Sequence, residues 1–272
     1  METVITDPAF DHQRTEEYKL SIQVSLDGFY FTILQPDKNK LMKLVDYPAS
    51  IRSEHFLLRR FTEWYDNHDL LSQNYAAIRV ICPTDKFTLV PGEFYNYEKQ
   101  RHLAGLTFQL EEDFRVFDNY LPELAGNLLF AIPNDLHLFL DQKFIRYRLV
   151  HPLAVIFPHI TIIAEQFKNT LLLLFENKRL YLMLFANKTL LVANSFYYSH
   201  PNDVVYYVLS VINQHHIPRK DVTPFTAGKI AEDDPIYSQL KKHFSNVGLF
   251  LPRINCHNAF YKVPLQHFNS LF

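Results

Sequence analysis

The sequence predicts an α/β protein built from two similar lobes, because one pattern of elements occurs twice along the chain. In each half, three short strand-like segments are followed by a segment with helical spacing. In the first half these are residues 20–26, 29–34 and 40–45, then a helix over 56–67. In the second half they are residues 170–175, 179–185 and 189–197, then a helix from 201 to 212. A meander that leads into strand–helix units forms a mixed sheet with helices on its faces.

The individual elements follow from local signals. Residues 20–26 alternate between apolar and polar side chains, as a half-buried strand does, and Asp27-Gly28 is a strong hairpin signal. Ser53 fits an N-cap, and Pro201 fits the first turn of a helix. The remaining strands are predicted at residues 76–82, 87–90, 114–120, 127–132, 221–229 and 247–251. The remaining helices are predicted at residues 92–103, 134–144, 152–168 and 235–244.

The length of 272 residues exceeds most single hydrophobic cores and fits two domains of ordinary size. We therefore expect a loose tail over residues 1–17, a first lobe over 18–145 and a second lobe over 146–272.

Composition excludes several classes of function. The net charge is −2 and basic residues cluster only in pairs such as Arg59-Arg60, so we expect no nucleic-acid binding. The two cysteines are far apart in the sequence, which favours a reducing compartment, and the polar, acidic residues 1–17 lead us to expect no secretory signal. The longest apolar run, residues 149–164, is broken by two prolines and predicts no membrane span. We expect a cytoplasmic protein.

Four passages give the chain a likeness to a known family. They are Val24-Ser-Leu-Asp-Gly-Phe-Tyr30, Phe87-Thr-Leu-Val-Pro-Gly-Glu93, Leu128-Leu-Phe-Ala-Ile-Pro133 and Thr223-Pro-Phe-Thr-Ala-Gly-Lys229. Over residues 18–255 the chain resembles a bacterial family of domains of unknown function in the actin-like (ribonuclease H-like) superfamily. The resemblance implies a duplicated, two-lobe actin-like architecture. It implies no reaction, since similar folds serve as ATPases, as sugar kinases and as scaffold parts of pilus and secretion assemblies.

The same resemblance implies where a nucleotide would bind. In actin-like ATPases the first meander turn carries Asp-x-Gly followed by Thr or Ser, and it handles phosphate and Mg²⁺ in the cleft between the lobes. Here the turn reads Asp27-Gly28-Phe29-Tyr30, without the hydroxyl, and the matching turn of the second lobe keeps only Glu176. If ATP and Mg²⁺ bind, Asp27, Gly28 and Glu176 are the expected contacts. The alternative is that Asp27-Gly28 is simply a type I′ hairpin turn.

Other constellations have structural explanations. His215-His216 near Asp221 lacks a third ligand at a suitable spacing and fits a solvated helix end. Asp234 precedes Pro235 and fits a helix cap, as His200 does before Pro201. The remaining candidates are Gly228 and Gly248, each too isolated for an adenosine-binding Gly-Gly pair, and Cys82, expected to be a buried thiol. No catalytic or metal-binding residue is predicted.

Aromatic residues, at 15% of the chain, are the one compositional excess. They concentrate in three runs: Phe94, Tyr95 and Tyr97; Phe196, Tyr197 and Tyr198; and Tyr206 and Tyr207. Such runs usually pack into a core, but exposed members would form a protein-binding surface.

The sequence therefore favours a non-catalytic binding or scaffold protein on a degenerate actin-like fold, with another protein as its partner. The alternative is an ATP- and Mg²⁺-binding protein with a modified phosphate site. A nuclease is the least favoured, because only Asp27 lies near the place where that fold carries its acidic cluster. The sequence specifies neither the partner nor the oligomeric state.

Overall fold

The structure is a computed structural model that describes residues 2–176 and 178–272. Asn177, in the predicted turn of the second meander, lies outside the described residues. The strands are β1 (Thr3–Thr6), β2 (Lys19–Ser25), β3 (Gly28–Gln35), β4 (Lys40–Pro48), β5 (Ala77–Ile81), β6 (Phe87–Pro91), β7 (Phe114–Leu121), β8 (Gly126–Pro133), β9 (Arg148–Val150), β10 (Asn169–Glu176), β11 (Arg179–Ala186), β12 (Thr189–Tyr197), β13 (Val222–Gly228), β14 (Gly248–Leu249) and β15 (Asn255–Cys256). The helices are α1 (Glu54–Tyr65), α2 (Gln100–Gly105), α3 (Asn134–Lys143), α4 (Pro152–Ala164), α5 (Pro201–Gln214) and α6 (Pro235–His243).

The chain divides into two compact units. Unit 1 contains the residues up to Val155 together with Arg253–Val263 and Ser270–Phe272. Unit 2 contains Ile156–Pro252 and Pro264–Asn269. The C-terminal residues are thus shared between the units, whereas the sequence assigned all of 146–272 to one lobe.

Unit 1 contains a mixed sheet in the order β1-β4-β3-β2-β5-β9, and β15 also pairs with β4. The meander strands β2, β3 and β4 are antiparallel, whereas β5 and β9 are parallel to their neighbours. One face carries an aromatic core in which Phe29 and Phe31 of β3 contact Trp64 of α1, with ring centroids 5.4 and 5.9 Å away. Burial of these large rings fixes α1 against the sheet.

A second, antiparallel sheet in unit 1 has the order β6-β8-β7. Its central strand β8 is buried from Gly126 to Ile132, as expected for a strand covered on both faces. Helix α2 contacts all three strands of this sheet. The sheet is an insertion between β5 and β9 of the main sheet.

Unit 2 repeats the meander in a sheet of order β12-β11-β10-β13-β14. The strands β10 and β11 are antiparallel, and β13 is parallel to β10. Leucines of β10 and β11 pack against α5 and α6 in one core, with Leu173 and Leu182 fully buried. The repeated meander and the mixed sheets confirm the predicted fold class.

Two sequence predictions are wrong in their details. The expected loose tail contains β1, which pairs with β4 from Thr3 opposite Asp46 to Thr6 opposite Lys43. The expected helix over 92–103 is instead two single 3₁₀ turns followed by the short α2. Its break has a local cause, because the Asn96 side chain accepts a hydrogen bond from the Glu98 N–H and starts a new turn.

Candidate functional site

The first meander turn lies between β2 and β3 in unit 1. Ser25 pairs with Gly28, so the two residues of the turn are Leu26 and Asp27, and neither has a positive φ. The predicted type I′ turn, centred on Asp27-Gly28, is therefore wrong. Gly28, at φ 137°, instead lies against β4, where a Cβ would stand 2.3 Å from the Tyr47 carbonyl oxygen. The close packing against β4 therefore requires a glycine at residue 28.

The polar groups of Asp27 are bonded within the chain. Its carboxylate accepts a hydrogen bond from the Ser25 hydroxyl. Its carbonyl oxygen accepts from the Tyr30 hydroxyl and from the Ala49 N–H, each at 3.0 Å. These bonds hold the turn against the end of β4. Asp27 as a whole residue is half-buried, and its Oδ2 atom is buried.

The second meander turn lies in unit 2. Glu176 is 2% exposed and stands opposite Arg179 in the register of β10 and β11. A carboxylate this deeply buried has its interactions inside the protein fold. Asp27 and Glu176 thus keep the positions at the two turns that the sequence assigned to them, one in each unit.

The two isolated glycines of unit 2 also serve the packing of the chain. Gly228 has φ 77°, and a Cβ there would stand 2.2 Å from the Phe175 carbonyl oxygen. A Cβ on Gly248 would stand 2.8 Å from the Phe225 ring. Both glycines permit close approach between neighbouring parts of unit 2.

A cavity that sequence reasoning missed lies beside the first turn. It measures about 380 Å³ and is lined by Ser50, Ile51, Arg52, Phe56, Arg59 and Arg60. The Ile51 N–H donates to the Leu26 carbonyl oxygen at 2.8 Å, which joins the cavity wall to the turn. Arg59 and Arg60 share one carboxylate, that of Glu63, at 3.1 Å each. In the sequence, the Arg59-Arg60 pair was the only sign of this cavity, because the fold alone brings Arg52 to the same cavity.

The aromatic runs divide between core and surface. Phe94, Tyr97, Tyr197 and Tyr206 are 65%, 72%, 58% and 67% exposed. Phe196 stacks on Tyr207 with centroids 4.6 Å apart and is partly buried against the core of unit 2.

In unit 1 the exposed rings are close in sequence to members of a polar network. The Gln100 amide donates to the Tyr95 hydroxyl at 2.6 Å and to the Asp118 carboxylate at 2.7 Å. Asn127 donates to the other carboxylate oxygen of Asp118 at 2.9 Å. Tyr120, two residues along β7 from Asp118 and so on the same face of the strand, is 60% exposed.

The remaining candidates have structural roles. His200 accepts from the Asn202 N–H and caps α5, and Asp234 accepts from the Ile236 N–H and caps α6. The Asp221 carboxylate lies 2.9 Å from Lys168, so it pairs with a lysine rather than with the two histidines.

Cys82 is buried, and burial raises the pKa of its thiol to about 12. Among residues 2–176 and 178–272, no three His, Cys, Asp or Glu side chains come together in a way that could hold a metal ion. Within the same residues, no helix has the length and apolar character needed to cross a membrane.

Comparison with solved structures identifies the fold. A Bacteroides thetaiotaomicron protein with an actin-like ATPase fold and unknown function superposes with a TM-score of 0.81 at 22% identity, covering 89% of this chain and 93% of that one. The PilM–PilN type IV pilus biogenesis complex gives a TM-score of 0.55 at 12% identity, covering 93% and 95%. At these identities the likeness establishes the actin-like fold alone.

No curated protein matches the sequence. A family described as a protein of unknown function (DUF3822) matches residues 7–247, which is most of the chain and includes both meanders. The chain belongs to the DUF3822 family of proteins of unknown function, with an actin-like fold.

Proposed function

We propose that this protein is a non-catalytic binding or scaffold protein whose partner is another protein. The observation that carries the proposal is the exposure of three aromatic side chains in or next to the inserted sheet of unit 1, Phe94, Tyr97 and Tyr120, here called the aromatic surface. Phenylalanine and tyrosine are frequent anchors of protein interfaces, because each buries a large area with few rotatable bonds. Isolated exposed rings are ordinary on a protein surface, whereas three that each lie within two residues of a member of one hydrogen-bonded network favour a docking site.

The hydrogen-bonded network supports the same function. Tyr95, Gln100, Asp118 and Asn127 are joined by hydrogen bonds of 2.6 to 2.9 Å. A surface that is held in place before binding loses less conformational entropy when a partner docks.

The first meander turn supports the non-catalytic part of the proposal. The Asp27 carbonyl oxygen accepts from the Ala49 N–H, just after β4, and Gly28 packs against Tyr47 of β4. Neither Thr nor Ser follows the glycine, where actin-like ATPases carry one of them. A fold can keep its architecture while its chemistry is lost or replaced. For localisation we propose the cytoplasm, because both cysteines are free thiols.

The test is affinity purification from cells that naturally express the protein. The wild type is compared with a Phe94→Ser/Tyr97→Ser double variant. The matched control is Ile145→Ser, since Ile145 is 95% exposed and lies outside the aromatic surface. We expect the wild type and the control to retain the same partner and the double variant to lose it. A partner retained equally by all three, or no reproducible partner, would contradict the proposal.

A second candidate function is the binding of ATP with Mg²⁺, and the arginine-lined cavity is the observation that favours it. Arg52, Arg59 and Arg60 are among the residues that line the cavity of about 380 Å³ beside the first turn, and guanidinium groups match phosphate oxygens. Asp27 would contact Mg²⁺ or phosphate, Gly28 would give the backbone close access, and Glu176 would be the counterpart in the second turn. Carboxylate oxygens are suitable Mg²⁺ ligands. The hydrogen bond from the Ser25 hydroxyl to the Asp27 carboxylate, in contrast, does not favour Mg²⁺ binding at this turn.

Isothermal titration with Mg·ATP and with Mg·ADP separates the two functions. The scaffold proposal expects flat titrations. Submillimolar binding that Asp27→Ala and Arg52→Ala each abolish would instead establish the second candidate. Inorganic phosphate serves as a control, because binding of phosphate alone would reveal an anion site without a nucleotide preference.

A further inference from the structure

Strand β12 forms an open edge of the sheet in unit 2. It pairs with β11 along its whole length, and the described residues contain no strand on its other side. None of its nine residues is fully buried, whereas every residue of β10 is. An open edge presents unpaired backbone donors and acceptors to any other extended chain.

The register identifies which backbone groups face outward. The Tyr198 N–H donates to the Lys178 carbonyl oxygen at 3.0 Å, which makes that pair a hydrogen-bonded one. Bonded pairs alternate along an antiparallel ladder, so the backbone groups of Ala193, Ser195 and Tyr197 point away from β11. The Ser195 N–H is covered only by the neighbouring Asn194 side chain, at 2.8 Å.

In unit 1, the strand that corresponds to β12 is paired with other extended segments along its outer edge. This third meander strand is β4, and the outer edge of β4 is covered by the extended segment β1 and by β15. Strand β4 nevertheless carries the charged residues Lys40, Lys43 and Asp46. The sequence of β12, Thr-Leu-Leu-Val-Ala-Asn-Ser-Phe-Tyr, has no charge, no proline and no glycine. Exposed edges normally carry such protective residues, and the bulge at Leu191 interrupts only the start of β12. The regular, uncharged edge over residues 192–197 is typical of a strand that has a partner.

We propose that the partner of β12 is the β12 strand of a second copy of this chain, paired antiparallel across a two-fold axis. The two copies would form one continuous sheet of ten strands. Self-pairing opposes no like charges, because residues 189–197 are uncharged. It also runs the Lys188 end of one copy toward the Asp203 end of the other, so that the flanking charges are opposite. The inference does not depend on the proposed function.

The outward-facing residues define a register for this dimer. A two-fold axis at Ser195 places Ser195 opposite Ser195 of the second copy and Ala193 opposite Tyr197. The bulge of β12, at the register shift between Leu184 and Phe185 of β11, marks the end of regular pairing.

Strand pairing alone buries little area, and aromatic side chains extend the surface. Phe196 stacks on Tyr207, and Tyr206, 67% exposed, contacts Tyr207 at 5.6 Å. These rings on and beside α5 are continuous with the edge and add the apolar contact that a stable dimer needs.

Sedimentation velocity over a range of concentrations tests the proposal on the full chain. We expect a dimer for the wild type and for Ser195→Ala, which keeps the backbone N–H. Ser195→Pro removes an outward donor without removing a bond to β11, and Ser195→Lys sets two like charges opposite each other. Each of these two variants should weaken self-association by roughly tenfold or more. A wild type that is monomeric at every concentration, or a dimer that both variants leave intact, would overturn the proposal.

A charge exchange tests the register even if Ser195→Pro fails to fold. Ser195→Lys and Ser195→Asp should each be largely monomeric alone and should form a mixed dimer when combined in equal amounts. Hydrogen exchange at Ala193, Ser195 and Tyr197 should slow on mixing. Absence of both effects would mean that residue 195 does not face its own copy, and the two-fold pairing would be wrong.

Discussion

Gly228 lies against Phe175 so closely that a Cβ on the glycine would stand 2.2 Å from the Phe175 carbonyl oxygen. The φ of Gly228 is 77°, a backbone conformation that residues other than glycine rarely adopt. We expect Gly228→Ala to lower the free energy of unfolding by about 2 to 4 kcal/mol, from backbone strain and steric overlap together. Urea denaturation followed by circular dichroism measures the change.

Gly105 provides the matched control for that substitution. It ends α2, and a Cβ there would meet no atom within 4 Å. Gly105→Ala should change the free energy of unfolding by less than about 1 kcal/mol. Equal losses in the two variants would show that close approach to Phe175 is not what selects glycine at residue 228.

His151 should make the protein lose stability in mild acid. The side chain is fully buried; its Nδ1 accepts from the Leu153 N–H and its Nε2–H donates to the Thr84 carbonyl. Burial lowers the pKa of His151 to about 4, against a partly opposing hydrogen bond to Thr84. The unfolded chain therefore binds a proton that the folded chain does not, and stability falls as the pH decreases from about 6.5 to 4. The loss attributable to this residue is about 3 kcal/mol.

Unfolding curves at several pH values, with two histidine variants, measure this loss. His151→Gln can still donate toward Thr84 and should have a flatter dependence of unfolding free energy on pH, with the remaining slope from groups such as His137 and His267, whose pKa values burial also lowers. His55→Gln, at an exposed position, should keep the wild-type dependence. Identical slopes in the wild type and His151→Gln would assign the acid sensitivity to other groups.

Asp7 and Lys40 should stabilise the packing of the N-terminal segment on β4. The Asp7 carboxylate is 2% exposed and lies 2.7 Å from the Lys40 ammonium, and its Oδ1 accepts from the Ala9 N–H. Asp7→Asn keeps the second bond and loses the ion pair, at an expected cost of about 1 to 2 kcal/mol in unfolding free energy. Lys40→Met should cost more, because it leaves a buried carboxylate without its cation. The reverse order would contradict this account.

The two cysteines should differ in their reaction with iodoacetamide. Burial raises the pKa of Cys82 to about 12, and Cys256 is only partly buried, with a smaller rise in pKa from the same cause. In the native protein we expect alkylation of Cys256 before any reaction at Cys82, and alkylation of both in urea. Peptide mass spectrometry locates the label. Early modification of Cys82 would show that β5 opens readily.

The sequence was sufficient for the meanders because their signals are local. In β10 and β11 continuous apolar runs end at turn residues, and this pattern alone places the strands. The N-terminal strand β1 has no comparable signal. Its four residues become a strand only because β4 offers them an edge, which is a contact between distant parts of the chain.

The place of Asp27 and Gly28 at the first meander turn was predicted, but the geometry of the turn was not. Asp27 and Gly28 do lie at the first turn, but the turn is centred one residue earlier because Gly28 must pack against Tyr47 of β4. The cavity beside the turn could not be predicted at all. Arg52 faces it only because Ile51 is bonded to Leu26, and no spacing in the sequence records that bond.

The return of the C-terminal residues to unit 1 has a consequence for biosynthesis. Residues 253–263, which include the strand β15, and residues 270–272 are translated after the whole sheet of unit 2. The hydrogen bond from Ser270 to Gln23 and the pairing of β15 with β4 therefore cannot form while those residues are still inside the ribosome. The strands of unit 2 are therefore synthesised before unit 1 is complete, and part of the β4 edge of unit 1 stays open until residues 253–263 have left the ribosome.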